Sequence, residues 1–323
     1  MVSLAELKLV AETTGFQLES LERVACLFEI LESLRSHPFL QHRIALKGGT
    51  ALNGFVLRLP RLSVDIDLNY IGSGHREVML AERPKVEQAI AAVCSRLGIQ
   101  IKRMPAEHAG GKWQLSYRSG SGRPISLALD MNFLMRTPLW PYALSNSQPI
   151  GSLSAERVPV LDLHELAAGK LAALFSRNAG RDLFDVCNLL QHEGLDRNRL
   201  RLDFVVYGGA SRRDWRTISL KDVNADLNDV SNQLIPMLQS DRAPTKRQVG
   251  TWTKKLVQDC RRLTAELLPL QSKEMEFLDR LNGAGEIVPE LLTDDATMQT
   301  IISAHPALQW KAQNVREFRK SKQ

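Results

Sequence analysis

Apolar positions recur with two different periods along this chain, and the change of period divides it. Residues 4–14 and 19–35 carry apolar side chains three or four positions apart, which predicts two helices. Shorter apolar runs predict strands at 43–47, 64–71, 99–104, 112–118 and 124–134, with a helix at 83–97 between them. Beyond residue 155 the spacing is helical. The pattern therefore predicts an α/β (α+β) N-terminal domain, residues 1–155, followed by a helical C-terminal domain, residues 156–323.

The stretch from Ala45 to Tyr70 combines a glycine turn with two acidic residues. An apolar run ends in Gly48-Gly49-Thr50, and a helix is predicted from Ala51 to Leu59. The following strand carries Asp65 and Asp67. Side chains at positions i and i+2 of a strand point to the same face, so we expect these two carboxylates to project together.

Paired carboxylates next to a glycine turn suit phosphate chemistry. Mg²⁺ prefers oxygen ligands, commonly one or two carboxylates plus substrate phosphates. In two-metal phosphoryl transfer the ions lie roughly 3.5–4 Å apart and hold the attacking and leaving oxygens. A Gly-Gly-Thr turn at a helix N-terminus offers N–H groups and a hydroxyl to phosphates. Each pattern is common alone, but their order and spacing predict a site for a metal ion and a triphosphate.

A third acidic residue, Asp130, lies on the polar face of the strand predicted at 124–134. The opposite face of this strand is apolar at every position from Ile125 to Phe133. Asp130 is either a third metal ligand or general base beside the other two aspartates, or a solvated aspartate on an edge strand.

The helix predicted from Asp162 to Arg177 has a lysine within its apolar stripe. Lys170 falls on the face that also carries several apolar side chains: Leu163, Leu166, Ala167 and Leu174. A lysine at such a position is unusual. Two interpretations remain open: the ammonium reaches solvent past its apolar neighbours, or it binds nucleotide phosphates as a point charge.

A second acidic pair opens the next predicted helix, in the segment Arg181-Asp182-Leu183-Phe184-Asp185. Asp182 and Asp185 are three positions apart and share a helix face, and Arg181 can pair with Asp185 four positions later. Acidic residues in a first helical turn also simply complement the helix dipole.

Two segments resemble the signature motifs of the AbiEii family in their order and spacing. The first combines Lys47–Asn53 with Arg61–Leu68, and the second combines Lys170 with Arg181–Asp185. AbiEii proteins, which include the MenT toxins, are nucleotidyltransferase toxins of bacterial type IV toxin–antitoxin and phage-defence systems. The resemblance covers marked positions between about 45 and 190. It implies a DNA polymerase β-like nucleotidyltransferase fold with a mixed sheet, and nucleotide and metal ions held in a cleft closed by the helical domain.

The resemblance also implies roles for particular residues. Asp65, Asp67 and, as a third ligand, Asp130 would hold two Mg²⁺ ions, while a ribonucleoside triphosphate is the substrate. The nucleotide-binding positions would be Gly48, Gly49, Thr50, Ser63 and Lys170. Either Asp182 or Asp185 would be the acting acid of the second motif. In MenT-like members the hydroxyl residue at the position of Ser63 is phosphorylated by a cognate antitoxin, so an antitoxin partner is expected.

Composition narrows the class of protein without naming a substrate. The chain has 323 residues, 44% of them hydrophobic, and a formal net charge of +6, which permits nucleic-acid binding without requiring it. Its four cysteines are isolated and read as reduced core thiols. No signal peptide is predicted, and the uncharged stretch 137–155 contains three prolines, which favours a loop over a membrane span. These features predict a cytoplasmic protein without a membrane partner.

Basic residues in the C-terminal half offer a surface for a polyanion. Between Lys246 and Leu267 the apolar side chains follow helical spacing, and Arg247, Lys254, Lys255, Arg261 and Arg262 lie roughly opposite them. Together with Arg212–Arg216 and the tail Arg316–Lys322, this stripe would contact an RNA backbone; the alternative is an ordinary solvated face.

The functional hypothesis is nucleotidyl transfer from a nucleoside triphosphate to RNA. The resemblance implies that the acceptor is the 3′ end of tRNA, and that the modification blocks translation and growth. The alternatives are nucleotidylation of a small molecule or a protein, and a non-catalytic nucleotidyltransferase-like module that only binds.

Overall fold

The computed structural model describes residues 2–58, 60–103 and 109–321 and contains a seven-stranded mixed sheet together with many helices. The predicted α/β (α+β) class is confirmed. The chain separates into two compact units. The first unit comprises the described residues up to Asp162 together with Ile235–Ala243, and the second comprises Leu163–Leu234 and the described residues from Pro244 onwards.

The first unit contains four helices and the whole sheet. Its helices are α1 (Leu4–Thr14), α2 (Leu18–Ser36), α3 (Gly48–Ala51) and α4 (Arg76–Arg96). Its strands are β1 (Ile44–Lys47), β2 (Ile66–Tyr70), β3 (Gln100–Arg103), β4 (Gly110–Arg118), β5 (Pro124–Asn132), β6 (Ala143–Ser145) and β7 (Val158–Val160). The strand order is β3-β4-β5-β2-β1-β7-β6. The β2–β5 and β1–β7 pairs are parallel, and the remaining pairs are antiparallel.

The sheet has one apolar face because its central strands alternate. On β2, Ile66, Leu68 and Tyr70 are buried, and on β5 Leu129 and Met131 are buried next to them. Successive side chains of a strand point to opposite faces, so the residues between them lie on the other face. Asp67 and Asp130 belong to that second face, as the alternation predicted.

Element bounds differ from the predictions at three places that matter here. Asp65 precedes β2 and lies outside the strand. The helix after the glycine turn begins at Gly48, continues as a π-helix over Leu52–Val56 and ends there, while Leu59 lies outside the described residues. Helix α4 begins at Arg76, seven residues before the predicted start. Proline is common in the first turn of a helix, so Pro84, which lies inside α4, explains the later predicted start. Met104, the last residue of the strand predicted at 99–104, also lies outside the described residues.

The second unit is helical, although helical spacing was predicted from residue 156 onwards and residues 158–160 form strand β7 of the first unit. Its helices are α5 (Leu163–Arg177), α6 (Gly180–Leu189), α7 (Arg197–Ala210), α8 (Leu227–Asp229), α9 (Val249–Thr264), α10 (Ser272–Ala284), α11 (Ala296–Ala304) and α12 (Pro306–Lys320). An aromatic cluster forms part of its core. The ring centroids of Phe175 and Phe204 lie 5.5 and 5.1 Å from that of Trp215, which is fully buried.

The basic stripe predicted around residues 246–267 is only partly available to a partner. On α9, Val257, Cys260 and Leu263 are buried while Lys254 and Lys255 are exposed. Arg261, in contrast, donates a hydrogen bond to the Val223 carbonyl at 2.9 Å.

The other basic segments of this unit also contain internal ion pairs. Arg213 pairs with Asp222 at 2.6 Å, and Arg216 pairs with Asp214 at 2.6 Å. In the C-terminal tail, Arg316 donates to the Gly285 carbonyl at 2.7 Å; Lys322 lies outside the described residues. These internal contacts reduce the number of side chains available to RNA.

Two predictions from composition also have a structural outcome. All four cysteines, Cys26, Cys94, Cys187 and Cys260, are buried and unpaired with one another, which confirms that they are core thiols. None of the helices within the described ranges is long and apolar enough to cross a membrane.

Candidate active site

The glycine turn brings the backbone into contact with one acidic side chain. Gly48 has φ +72°, in the left-handed region that residues with a side chain rarely adopt. A Cβ added at Gly48 would lie 2.1 Å from Oδ2 of Asp67, closer than any van der Waals contact. The absence of a side chain at Gly48 therefore allows the Asp67 carboxylate to lie against the first residue of α3.

Two polar side chains attach this turn to its surroundings. The Thr50 hydroxyl, in a residue only 2% exposed, donates to the Asp65 carbonyl at 2.5 Å. The Asn53 amide donates to the Gly49 carbonyl at 2.8 Å. Thr50 therefore positions the chain at Asp65, a role that the sequence pattern did not indicate.

Asp67 and Asp130 are neighbours in a row of four charged residues across the sheet. In register, Lys47 of β1 is opposite Asp67, Asp67 is beside Asp130, and Asp130 is opposite Lys112 of β4. Neighbouring strands lie about 4.8 Å apart, and register partners point to the same face. The structure thus brings together two of the three carboxylates predicted as metal ligands and places a lysine on either side of them.

The position of Asp130 affects its acidity. Burial raises the pKa of Asp130 above its ordinary value, and the nearby carboxylates of Asp67 and Asp65 add to this rise. Lys47 and Lys112 act in the opposite direction. The solvated edge-strand interpretation is wrong, because β5 is an interior strand and Asp130 is partly buried.

Ser63 and Asp65 lie on the segment that leads into β2. Both are partly exposed. Arg61, two residues before Ser63, is 2% exposed and forms an isolated antiparallel bridge with Leu238. The segment is thus attached at Arg61 and, through Thr50, at Asp65, with Ser63 between these points.

The second predicted motif forms a buried ionic cluster in α5 and α6. Nζ of Lys170 lies 3.0 Å from Oδ1 of Asp182 and 2.8 Å from Oδ2 of Asp185. Lys170 is 7% exposed and both aspartates are 0% exposed. The interpretation in which the ammonium reaches solvent past its apolar neighbours is therefore wrong. The ammonium lies between two carboxylates.

Arg177 is the fourth member of this cluster. Its guanidinium holds Asp182 with two hydrogen bonds, Nε to Oδ2 at 2.6 Å and Nη2 to Oδ1 at 3.0 Å. Burial alone would raise the pKa of Asp182, but Lys170 and Arg177 outweigh it, so that the pKa lies below its ordinary range. Asp182 is consequently held in its ionised form.

Comparisons with known proteins show to which family the chain belongs. Residues 29–265 match the family described as nucleotidyl transferase AbiEii toxin of type IV toxin–antitoxin systems. The chain belongs to the AbiEii family. It is therefore a nucleotidyltransferase of a toxin family, and type IV toxin–antitoxin membership implies an antitoxin partner.

A solved structure shows the same fold. The chain is similar to MenT4, the nucleotidyltransferase toxin Rv2826c from Mycobacterium tuberculosis H37Rv, with a TM-score of 0.60 and 18% identity. The similarity covers 98% of this chain and 100% of that one. No curated protein sequence matches the chain.

The acidic residues of this AbiEii protein fit a divalent cation by their chemistry. Carboxylate oxygens are the ligands that Mg²⁺ prefers, and one or two of them suffice when substrate phosphates complete the coordination. Asp67 and Asp130 are register neighbours and supply such a pair. Within the described ranges no group of three or more His, Cys, Asp or Glu is assembled as a metal site. The observed donors therefore suit a metal that arrives with its nucleotide.

Sequence reasoning missed four residues that the structure adds to the two motifs. Lys47 and Lys112 extend the row of charges, Asn53 holds the glycine turn, and Arg177 holds Asp182. Arg177 follows Lys170 by seven residues, two helical turns on the same face, so its position in the sequence was a usable signal. No such signal exists for Lys112, because its register with Asp130 depends on long-range strand pairing.

Proposed function

We propose that this AbiEii enzyme transfers a nucleotidyl group from a ribonucleoside triphosphate to RNA in an Mg²⁺-dependent reaction. The proposed acceptor is the 3′ end of tRNA, and its modification blocks translation and growth in the bacterial cytoplasm. The observation that supports the site best is the Asp67 carboxylate lying against Gly48, with Asp130 as its neighbour in register. Asp67 thus lies against the first residue of α3, and Asp130 lies next to Asp67 in the sheet.

Each residue of the first unit has a proposed part. Asp65 and Asp67 hold Mg²⁺, and Asp130 is either a third ligand or the base that accepts the acceptor's proton. Bound Mg²⁺ ions would neutralise charge on the triphosphate and on the leaving pyrophosphate. The backbone of Gly48 and Gly49 receives the phosphates.

Two further nucleotide contacts come from hydroxyl residues. Thr50 positions the chain at Asp65 by its hydrogen bond and can accept a second one at its oxygen. Ser63 comes two residues before Asp65 and is partly exposed, so its hydroxyl is accessible to a nucleotide. Both residues therefore belong to the proposed nucleotide-binding set.

The transfer breaks one phosphoanhydride bond and forms one phosphodiester bond. A hydroxyl oxygen of the RNA attacks the α-phosphorus of the nucleotide, and the bond from that phosphorus to the oxygen bridging to the β-phosphate breaks. Pyrophosphate leaves with the bonding electron pair, and the hydroxyl loses its proton to a base. Catalysis of this kind rests mainly on positioning and on electrostatic stabilisation of the phosphates.

In the second unit, we assign a phosphate-binding role to Lys170. Its ammonium lies between Asp182 and Asp185 at 3.0 and 2.8 Å. Asp182 is also held by Arg177, which suits a residue that positions the lysine. Asp185 is therefore the proposed acting carboxylate of the second motif, with Asp182 as its supporting partner.

Ser63 is the proposed site of regulation by the antitoxin. A phosphate on its hydroxyl would add close to two negative charges beside Asp65 and Asp67. Like charges at this point would oppose binding of a nucleoside triphosphate. Phosphorylation of Ser63 by a cognate antitoxin would therefore switch the enzyme off.

Label transfer tests the proposed function. Purified protein is incubated with total RNA, each α-labelled ribonucleoside triphosphate and Mg²⁺, and the products are separated into RNA, protein and small molecules. We expect label in RNA of tRNA size, and none with Asp67→Asn. Glu77→Gln, which removes an exposed carboxylate on α4 of the same unit, is the matched control and should retain transfer. Label only in protein or in a small molecule would overturn the RNA acceptor, and full activity of Asp67→Asn would overturn the site.

A further inference from the structure

A cavity of about 550 Å³ lies beside the π-helix of the first unit. Its walls come from several segments of the first unit: the turn after α1, the π-helix, residues 60–62, residues 148–150 and residues 239–242. Asn53, whose amide holds the Gly49 carbonyl, is one of the lining residues. The cavity is thus one side chain away from the glycine turn.

Hydrogen bonds between backbone segments hold these walls together. The Gln148 N–H donates to the Gly54 carbonyl at 2.6 Å, and the Leu62 N–H donates to the Met237 carbonyl at 2.9 Å. Gln239 joins two more walls, because its backbone N–H donates to the Pro60 carbonyl at 2.9 Å and its side-chain amide donates to the Thr14 carbonyl at 2.8 Å. A cavity with walls attached in this way is largely formed before any ligand arrives.

The charge of this cavity is positive. Arg58, Arg61 and Arg242 line it, and among its described lining residues none is acidic. Arg61 is almost fully buried, whereas Arg58 and Arg242 are exposed. The exposed Asp241 lies 3.5 Å from Arg242, a surface pair of little strength. We call this feature the arginine cavity.

The remaining lining groups suit a nucleotide better than a simple anion. The Gln148 amide accepts from Nε of Arg58 at 3.0 Å and can donate to the edge of a base through its NH2 group, whereas the Gln239 amide donates to Thr14 and can accept from a base through its oxygen. Phe16, Pro60 and Pro149 contribute apolar ring surface against which a base can pack. Guanidinium groups bind phosphate oxygens with two parallel hydrogen bonds. The volume lies in the usual range for a site that holds a small organic ligand.

We propose that the arginine cavity binds one nucleotide of the single-stranded RNA acceptor. The phosphate of this nucleotide would lie on Arg58 and Arg242, and its base would lie among the glutamine amides and the apolar rings of the cavity. The inference rests on the proposed function, since it names where the acceptor strand of that reaction is bound. The acceptor strand would thus be bound in the arginine cavity, and the nucleoside triphosphate would be bound separately, at the glycine turn.

Binding of a labelled RNA tests this inference without any chemistry. The probe is a fluorescein-labelled single-stranded RNA of eight nucleotides, titrated with full-length protein in the absence of nucleoside triphosphate and divalent metal, and followed by anisotropy. The test variant is Arg58→Gln/Arg242→Gln; both side chains are exposed, so the fold is expected to persist, and circular dichroism checks it. We expect binding weakened about tenfold. The slope of log affinity against log salt should fall by about 0.7, because the contact to one phosphate is lost.

A matched control removes two positive charges elsewhere in the same unit. Lys102 and Arg103 are exposed on β3, at the other edge of the sheet from β6 and β7. Lys102→Gln/Arg103→Gln should keep the wild-type affinity and salt slope. An equal loss in this control would show that net charge alone attracts RNA, which overturns the cavity.

Three further outcomes would overturn the inference. They are no binding of the probe to the wild type, unchanged affinity in Arg58→Gln/Arg242→Gln, and displacement of the RNA by free AMP at equal concentration. The last outcome would make the cavity a site for free nucleotides. The two proposals can be contradicted independently. If RNA binding depends on the cavity but no label is transferred to RNA, only the proposed function is wrong. If label is transferred to RNA and Arg58→Gln/Arg242→Gln retains the wild-type KM for RNA, only the role of the cavity is wrong.

Discussion

Gly48 is the residue at which backbone geometry and acidic chemistry meet. Its positive φ begins α3 directly after β1, and the space of its missing side chain is filled by the Asp67 carboxylate. Any other residue there would face two separate problems. One is the strain of the left-handed conformation, and the other is a collision with Asp67.

Gly48→Ala should therefore remove transferase activity while leaving the protein folded. We expect a loss of about 10²-fold or more in kcat/KM, because Asp67 must move by an ångström or more to admit the methyl group. The matched control is Gly98→Ala, since Gly98 has φ +70° but no atom within 4 Å of an added Cβ. Gly98→Ala should lose about 1–2 kcal/mol of stability in thermal unfolding from the left-handed conformation alone, and Gly48→Ala at least as much, but only Gly48→Ala should lose activity. Similar activity in the two variants would contradict the role given to the Gly48–Asp67 contact.

At the scale of elements, the Lys170 cluster joins α5 to α6. Lys170 and Arg177 lie two turns apart on α5 and both bind Asp182 in the first turn of α6. Removing one member of a buried ion pair leaves an uncompensated charge, which commonly costs about 3–5 kcal/mol. The cluster therefore contributes both to the packing of the helices and to the position of the lysine.

The lowered pKa of Asp182 predicts how stability depends on pH. A carboxylate whose pKa is lower in the folded state stabilises that state above its ordinary pKa, and the contribution is lost as pH falls through the folded value. The difference in Tm between the wild type and Asp182→Asn should therefore be largest near neutral pH and shrink below about pH 4. Thermal unfolding followed by circular dichroism at several pH values measures it.

The control for this experiment is the exposed carboxylate of Asp241. Asp241→Asn should change stability by less than about 0.5 kcal/mol at each pH. A Tm difference for Asp182→Asn that stays constant from neutral pH to acid would show that the ionised carboxylate contributes no pH-dependent stability.

At the scale of the whole molecule, the two signature motifs belong to different compact units. The glycine turn and Asp67 lie in the first unit, and Lys170 and Asp185 lie in the second. The AbiEii match from residue 29 to residue 265 includes parts of both. The proposed activity is therefore a property of the full chain, and its cellular effect should depend on residues from each motif.

Induced expression of the full chain in bacteria should arrest growth if the proposed function is correct. Asp67→Asn and Lys170→Ala should each relieve the arrest, and growth curves with immunoblots of the soluble fraction measure this. Because Lys170→Ala also leaves buried carboxylates, its folded state is checked by circular dichroism on the purified variant. Lys273→Gln on the exposed surface of α10 is the control and should remain toxic. Normal growth at confirmed soluble expression of the wild type would contradict toxicity even where transfer to RNA is observed.

Local patterns in the sequence were sufficient for most of the fold class and for the motif residues. Helical spacing predicted α1, α2, α5 and α9 closely, because an amphipathic stripe depends only on neighbours three or four positions away. Alternation placed Asp130 on the polar face of β5 for the same reason. Patterns failed where local signals conflict, as at Pro84, where an interior proline resembled the start of a helix.

The sequence by itself determined which residues are proposed to carry the chemistry: the glycine turn, Asp65, Asp67, Asp130, Lys170 and the later pair of aspartates. Only the tertiary structure decided their partners. The row from Lys47 to Lys112 depends on the register of four strands, and the arginine cavity depends on the segment 235–243 returning to the first unit. Register and long-range packing arise from contacts between residues far apart in the chain, and no local period of hydrophobicity records such contacts.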